Sequence, residues 1–226
     1  MSIIYGFSNI HGGVSKENYN SLNLGLHVND DKNLVLKNRE IFANSLGFND
    51  ANLIFMNQIH SDDICIIDKL PYKTQSCDAI ITNLENLVLC VMVADCMPIL
   101  MFDKTKKVIS AIHAGRAGIC KRIVSKVAKK MSSSFECKIE NLELQAGPHI
   151  QGKCYEVGNL DLGKEINEFK KDGYFYMKDA LLKEIKNIGI KHYNISNTCT
   201  HCDKDYFSYR RDKITGRFCG YIFIKS

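Results

Sequence analysis

With 226 residues, 45% of them apolar, the chain is long enough for one large domain or two small ones with a sizeable core. Its net charge of +5 suits anionic small molecules, but no long basic run argues for nucleic acid, and Asp95 and Asp103 interrupt the longest apolar stretch, which excludes a membrane-spanning helix. Ten cysteines without regular spacing, and an opening MSIIYGFSNIHGG with no basic leader, read as a cytoplasmic protein with free thiols.

Residues 3–8 predict a first strand, followed by a Gly-rich polar loop over 11–20 and a weakly alternating SLNLGLHVNDD over 21–31. Asp30 or Asp31 caps a helix that runs to about Leu46, with Ile41, Phe42 and Leu46 facing inward and Gly47 as its stop. Asn38 and Arg39, taken alone, read as its solvated face. Strands follow over 53–56, which delivers Asn57-Gln58-Ile59-His60, then over 64–68, and over 79–82 after Cys77-Asp78. Three continuous apolar runs, 87–94, 98–102 and 108–112, fit buried strands better than helices. The first stops at Asp95-Cys96 and the third at His113-Ala114-Gly115.

Beyond Gly115 the chain turns helical, with Ile119, Ile123, Val124, Val127, Ala128 and Met131 on one apolar face. Gly115 and Gly118 at its start leave backbone N–H groups able to hold an anion. A strand over 142–146 leads to Gly147-Pro148-His149. Helices are predicted over 160–169 and 178–187, the second closed by Gly189, and strands over 193–195 and 218–224. Helices alternating with strand pairs, with no internal repeat, predict a single layered α/β or α+β domain.

His60, Cys96 and His113 each end an apolar run. Two imidazoles and one thiolate form a common zinc set, and three protein ligands leave the fourth position open for chemistry. The competing chemistry needs no metal: Cys96 as nucleophile with His113 as its base. Asp95, a charge abutting an apolar run, needs a partner; it orients a metal ligand, acts as a base, or caps local backbone. Arg210, Arg211 and Arg217 are surface arginines or, as a cluster, a bidentate phosphate site. CTHC, residues 199–202, has Cys-x-x-Cys spacing but no second close pair, and reads as incidental.

Seven segments in order cover most of the chain: NLGLHVNDD with Asn38-Arg39, NQIHSDDI, CDAIITN, VADCMPIL, AIHAG, AGPHI with YEVG, and CTHCDKDYFSYRRDKITGRFCGYI. Together they resemble the YfiH family, also called the laccase-domain or multicopper polyphenol oxidase family and, in part, the peptidoglycan editing factor family. The resemblance implies a YfiH-like domain over residues 1–226, with mixed β-sheets covered by helices and a remote likeness to cysteine hydrolase folds. It implies zinc, ahead of copper, on His60, Cys96 and His113. It also implies small-molecule substrates: phosphorolysis of adenosine, inosine and methylthioadenosine to free base and ribose 1-phosphate, with adenosine deamination. The alternative is an amidase editing UDP-muramoyl amino acids, with zinc-hydroxide or Cys96 as nucleophile. Asp95 joins the three ligands as a catalytic candidate. Asn23, Arg39, Gln58, Arg116, Arg210 and Arg211 are the candidates for substrate and phosphate. Seven histidines without a His-x-His pair do not suit a true copper laccase. The family's usual His-Ala-Gly-Trp-Arg-Gly is here His113-Ala114-Gly115-Arg116-Ala117-Gly118, with the tryptophan absent and the arginine one position early, so Arg116 either reaches the same place or alters specificity.

Overall fold

A computed structural model of the chain describes residues 2–73 and 75–225; the outermost expected domain limits, residues 1 and 226, lie outside them. In chain order the elements are β1 (Ser2–Phe7), α1 (Lys32–Ser45), β2 (Leu53–Phe55), β3 (Ile64–Ile67), β4 (Ala79–Thr82), β5 (Val88–Val93), β6 (Met97–Asp103) and β7 (Val108–Ala114). There follow α2 (Arg116–Cys120), α3 (Ile123–Phe135), β8 (Leu142–Ala146), β9 (Lys170–Lys171), β10 (Tyr174–Phe175), α4 (Met177–Ile188), β11 (His192–Ile195), α5 (Tyr209–Asp212) and β12 (Phe218–Lys225).

Two mixed sheets form the centre. One has the order β1-β12-β5-β2 and the other β11-β8-β6-β7-β4-β3. The apolar runs are continuous because each central strand is covered on both faces. Along β5, Leu89, Val91 and Val93 point between the sheets, where Leu100, Phe102, Ile109 and Ala111 meet them. Val88, Cys90 and Met92 point outward, against Phe42 and Ala43 of α1. Along β6 the alternate set, Met97, Ile99 and Met101, packs beneath Val124, Val127 and Ala128 of α3 and Leu181 and Ile185 of α4. The result is helix, sheet, sheet, helix: the layered α/β architecture expected. Among the described residues no helix is long and apolar enough to cross a membrane.

Three expectations change. The helix after Gly115 is two helices, broken at Arg122, whose φ of 58° is left-handed. The break leaves the first N–H groups of α3 without carbonyl partners. Glu184 of α4, buried, accepts from both Ser125 N (2.7 Å) and Ser125 Oγ (2.8 Å) and so caps α3 across the helix pair. Residues 160–169 form no α-helix, only a short 3-10 turn at Asn167–Phe169. There Asp161 Oδ1 accepts from Gly163 N and Asn167 Nδ2, Asn167 Oδ1 accepts from Leu162 N, and Gly163 sits at φ +92°. Side chains that bond the local backbone compete with the helical ladder, and here they win.

Asn38 and Arg39 are not a solvated face. Asn38 is fully buried; its Oδ1 accepts from Val14 N at 2.7 Å, and its Nδ2 lies 2.9–3.0 Å from Ser15 Oγ, Ser21 O and Asn23 O. Arg39 donates through Nε and Nη2 to Leu24 O (3.0 and 2.8 Å), and its guanidinium lies 3.8 Å over the Phe55 ring. Both residues clamp the loop before α1 onto the helix, a partner that helical periodicity does not reveal.

His149, fully buried, shows its protonation state in its partners. Its Nδ1 donates to Gly147 O (2.9 Å), so its Nε2 accepts from Gln151 Nε2 (3.1 Å). Burial lowers its pKa from 6.5 to about 4, with Lys178 adding to the shift and the Gly147 bond opposing it. A folded value below the unfolded one means that the unfolded chain binds the extra proton first. Stability is therefore complete above about pH 6.5 and falls as pH drops towards 4, by about 3 kcal/mol. Urea unfolding from pH 7.5 to 4 is expected to show this slope, and His149→Gln is expected to flatten it.

Candidate metal centre and its cavity

The three expected ligands arrive at one end of the two-sheet sandwich. β2 and β5 are parallel neighbours, so the segments leaving them start from the same edge. After β5 the chain crosses from one sheet to the other in residues 94–96, which places Cys96 at the seam. β7 runs antiparallel to β6, with Pro98 opposite His113 and Met97 opposite Ala114, so the last residues of β7 lie beside the first of β6. His60 supplies the third group from the link between β2 and β3. The ligand atoms of His60, Cys96 and His113 all lie within 4.8 Å of one another. The two rings meet edge to face, with centroids 4.8 Å apart.

Two of the residues that build this corner hold left-handed backbone: His60 at φ 59° and Asp95 at φ 92°. Such non-glycine positions cost of order 1–3 kcal/mol and persist where surrounding bonds over-determine them. Gly115 is required by crowding: a Cβ there would sit 2.9 Å from Cys96 Sγ and 3.4 Å from His60 Cδ2.

The carboxylate that organises the centre is Asp78, which sequence reasoning passed over in favour of Asp95. Asp78 is fully buried and accepts from His113 Nδ1 at 2.7 Å. It also accepts from Ser61 N (2.6 Å), Ser61 Oγ (2.9 Å), His60 N (3.1 Å) and Ile59 N (3.3 Å). One side chain thus orients the His113 ring and fixes the backbone turn that presents His60. With Nδ1 engaged, His113 has Nε2 left for a metal, the usual carboxylate–histidine–metal arrangement. The signal was a charge immediately before the apolar run 79–82.

Asp95 is committed elsewhere. It lines the cavity, but its Oδ1 accepts from Thr200 Oγ1 (2.7 Å) and its Oδ2 from Arg210 N (2.6 Å), which ties it to α5 and the C-terminal loop. A partner more than a hundred residues away decides between two neighbouring acids.

Charge at the centre favours a bound cation. Burial pushes the Cys96 thiol up, but the His113 charge and bonds from His113 and His60 outweigh it and bring the thiol down to about 6. Burial pulls His113 down, and Cys96 and Asp78 together raise it to about 9. Burial works against Asp78 too, yet bonds from His113 and Ser61 hold it at about 2. A ready thiolate, the His60 imidazole and a His113 ring that gives up its Nε2 proton as the ion binds, with a carboxylate behind it, fit a metal ion with three protein ligands and an open position.

That position faces a cavity of about 640 Å³. Arg116, Arg210, Lys213 and Arg217 supply positive charge to its wall, and Tyr155 and Tyr209 supply aromatic surface. α2 is only five residues long, so side chains, not a helix dipole, make the site cationic. Arg116 is the first residue of α2 and exposed. Arg210 donates to Glu156 O (2.8 Å) and lies 5.5 Å over the Tyr155 ring.

The other binding candidates are engaged by the protein itself. Gln58 lines the cavity, but its amide pairs with the Met92 main chain at both ends, donating to O (2.7 Å) and accepting from N (2.9 Å). Arg39 is held at Leu24 O as described. Arg211 is used up on the carbonyls of Thr200, His201, Asp203 and Tyr206 and on the Asp212 carboxylate. Asn23 accepts from Gly25 N (3.0 Å) and Arg217 N (2.9 Å) and donates to Asp30 (2.9 Å); it positions Arg217 without lining the cavity. His27, Tyr155 and Lys213 line the wall and were missed, although all three lie inside quoted motifs, in NLGLHVNDD, YEVG and the segment that begins CTHC.

A family model described as multi-copper polyphenol oxidoreductase laccase matches residues 4–225. The chain belongs to this family. Among its relatives, a purine nucleoside phosphorylase of Streptomyces coelicolor is 33% identical over 97% of this chain and 95% of its own length. The purine nucleoside phosphorylase YfiH of Shigella flexneri is 32% identical over 94% and 90%. The crystal structure of YlmD from Geobacillus stearothermophilus superposes with a TM-score of 0.91 at 25% identity, covering 99% of this chain and 92% of that one. YfiH from Bacillus licheniformis gives 0.88 at 28% identity, covering 99% and 93%. Within this laccase-domain family the chain's Arg116 departs from the expected motif yet still lies on the cavity wall.

Proposed function

We propose that this chain is a zinc-dependent purine nucleoside enzyme, cleaving adenosine, inosine and methylthioadenosine with phosphate and also deaminating adenosine. The observation that carries the reading is the convergence of His60, Cys96 and His113 on a cavity whose wall holds four cationic side chains. The names of the relatives point to the same reaction class. Two imidazoles and one thiolate suit zinc among the common divalent ions. When bound there, zinc supplies a Lewis acid and activates water near neutral pH.

The protein's own groups do the rest. Arg116, Arg210, Lys213 and Arg217 hold the phosphate dianion against the ribose. A phosphate oxygen forms the bond to the anomeric carbon, the bond to the purine breaks, and the base leaves with its electron pair and takes up a proton. Burial pushes the Tyr155 phenol up to about 12, so it stays neutral, offering a flat face to a purine and a hydroxyl donor. For deamination, water forms a bond to C6 of the purine, the bond from C6 to the amino group breaks, and that group takes up a proton and leaves as ammonia, giving inosine. The ten unpaired cysteines support a cytoplasmic setting.

The same thiolate and cationic wall support a second reading, amide hydrolysis of a UDP-muramoyl amino acid with its diphosphate on the arginines. Chelation separates metal from thiol chemistry. Removal of zinc is expected to abolish turnover and its return to restore it, and Cys96→Ser is expected to lose both zinc from this centre and activity. Full activity in metal-free protein that is then lost on thiol alkylation would sink the zinc reading.

A further inference from the structure

In the sequence the CTHC segment lacks a second pair of ligands; the fold supplies one more cysteine. The segment after β8 and the segment after β11 run side by side, joined by a bridge between His149 and Cys199. His149 N donates to Thr198 O and Thr200 N to His149 O, both at 3.3 Å. This pairing lays the turn Gly152–Cys154 against residues 199–202. Cys154 Sγ lies 3.4 Å from Cys202 Sγ, and Cys202 Sγ lies 4.0 Å from His201 Nδ1. The ligand atoms of Cys154, His201 and Cys202 are all within 4.8 Å of one another. Cys199 stands beside this trio, at the bridge to His149 and at the start of the turn that carries His201 and Cys202.

We infer that Cys154, Cys199, Cys202 and His201 form a second metal site, which takes a thiophilic divalent ion, zinc first. It is built from residues apart from His60, Cys96 and His113, and it does not depend on the reaction proposed above.

Two features carry the inference. The first is size: a tetrahedron with metal–sulfur bonds of about 2.3 Å has edges of about 3.8 Å. The sulfur–sulfur separation of 3.4 Å is within about 0.5 Å of that edge, and the sulfur–nitrogen separation of 4.0 Å is within about 0.5 Å of the shorter edge of about 3.5 Å that a metal–nitrogen bond gives, so an ion needs only small side-chain shifts. The second is the turn. Cys202 N (3.1 Å) and Asp203 N (2.9 Å) both donate to Cys199 O, which curls the Cys-x-x-Cys segment round its own sulfurs. Gln151 N donates to Cys199 Sγ at 3.4 Å. Backbone N–H groups aimed at sulfur stabilise a thiolate, the form that binds metal. The thiol protons leave to solvent as the ion binds.

With four protein ligands the site is closed, which marks a structural ion and not a catalytic one. It would pin together two segments that shape the cavity wall. Tyr155 follows Cys154 directly, and Thr200, inside the Cys-x-x-Cys turn, holds Asp95. A Cys154–Cys202 disulfide is the rival fate of these sulfurs. It would have to draw them to about 2.05 Å and would leave Cys199 and His201 without a role.

The test is metal content of the full chain, purified anaerobically under reduction and supplied with zinc. Two zinc ions per chain are expected for the native protein. Cys96→Ser is expected to keep one, and the double variant Cys154→Ser/Cys202→Ser to keep one. Cobalt(II) in the Cys96→Ser protein is expected to give the intense near-ultraviolet absorption of several thiolates on tetrahedral cobalt, a readout independent of catalysis. Folded Cys96→Ser protein that binds neither ion would overturn the inference. An intact mass two hydrogens short, located to a Cys154–Cys202 disulfide that persists under these conditions, would overturn it as well.

Discussion

Asp78→Asn is expected to weaken zinc binding at the His60–Cys96–His113 centre by about 10–100-fold and to lower kcat/KM for phosphorolysis by a similar factor. The buried carboxylate holds His113 Nδ1 at 2.7 Å and receives four further bonds from the turn that presents His60. An amide of the same shape removes the negative charge that makes the imidazole a better ligand. It also turns an NH2 group towards either the His113 ring or the Ser61 N–H, where an acceptor is needed. Competition with a chromophoric chelator measures the affinity, and initial rates measure turnover. Asp95→Asn is the informative contrast. Its carboxylate bonds Thr200 Oγ1 and Arg210 N, so zinc affinity is expected to stay near that of the native protein, while the C-terminal loop loosens and KM for phosphate rises. Equal zinc affinity in Asp78→Asn and native protein would refute the role assigned to Asp78.

Asn38→Ala is expected to be the most destabilising of the substitutions outside the site, at about 3 kcal/mol. Truncation leaves Val14 N and the Ser21 and Asn23 carbonyls without the amide that satisfies them, in a place water does not reach. Each buried polar group stranded in this way costs about 1–3 kcal/mol. For a chain of this length the fall in Tm is about 6–12 °C. Lys37→Ala, one residue earlier on the exposed face and engaged only in a surface pair with Glu40, is expected to cost less than about 1 kcal/mol. Thermal unfolding of the two variants side by side checks the contrast. The Asn38 clamp also holds the loop that carries Asn23, and through it Arg217, so the variant's KM for phosphate is expected to rise as well.

Local pattern carried the strands. Residues 79–82 and 142–146 begin and end where alternation and turn residues put them, and His60, Cys96 and His113, read from the ends of apolar runs, come together in a group able to hold a metal. The cap at Asp31 and the stop at Gly47 likewise follow from neighbouring residues, with Asp31 accepting from Asn33 N and Gly47 at φ +81°. What the pattern did not show is what only distant partners decide. Asp95 and Asp78 are alike in sequence, each a charge beside an apolar run; Thr200 and Arg210 claim one, His113 the other. Asn38 has the look of a surface residue until residues 14–23 fold over it. Arg211 and Arg210 are adjacent, yet the first is spent on four carbonyls and the second reaches the cavity. The helix broken at Arg122 keeps one apolar period across both parts, because both parts face the same core. Cys154 and the CTHC turn are brought together by the pairing at His149, which no spacing rule contains.

The most direct measurement uses one purified, metal-quantified sample with zinc on the His60–Cys96–His113 centre. It is incubated with adenosine, with and without phosphate, and the products are resolved by chromatography. Adenine and ribose 1-phosphate that form together, and only when phosphate is present, are the predicted result, with inosine as the accompanying product of deamination. Zinc-loaded protein that yields neither adenine nor inosine would contradict a purine nucleoside enzyme at this centre.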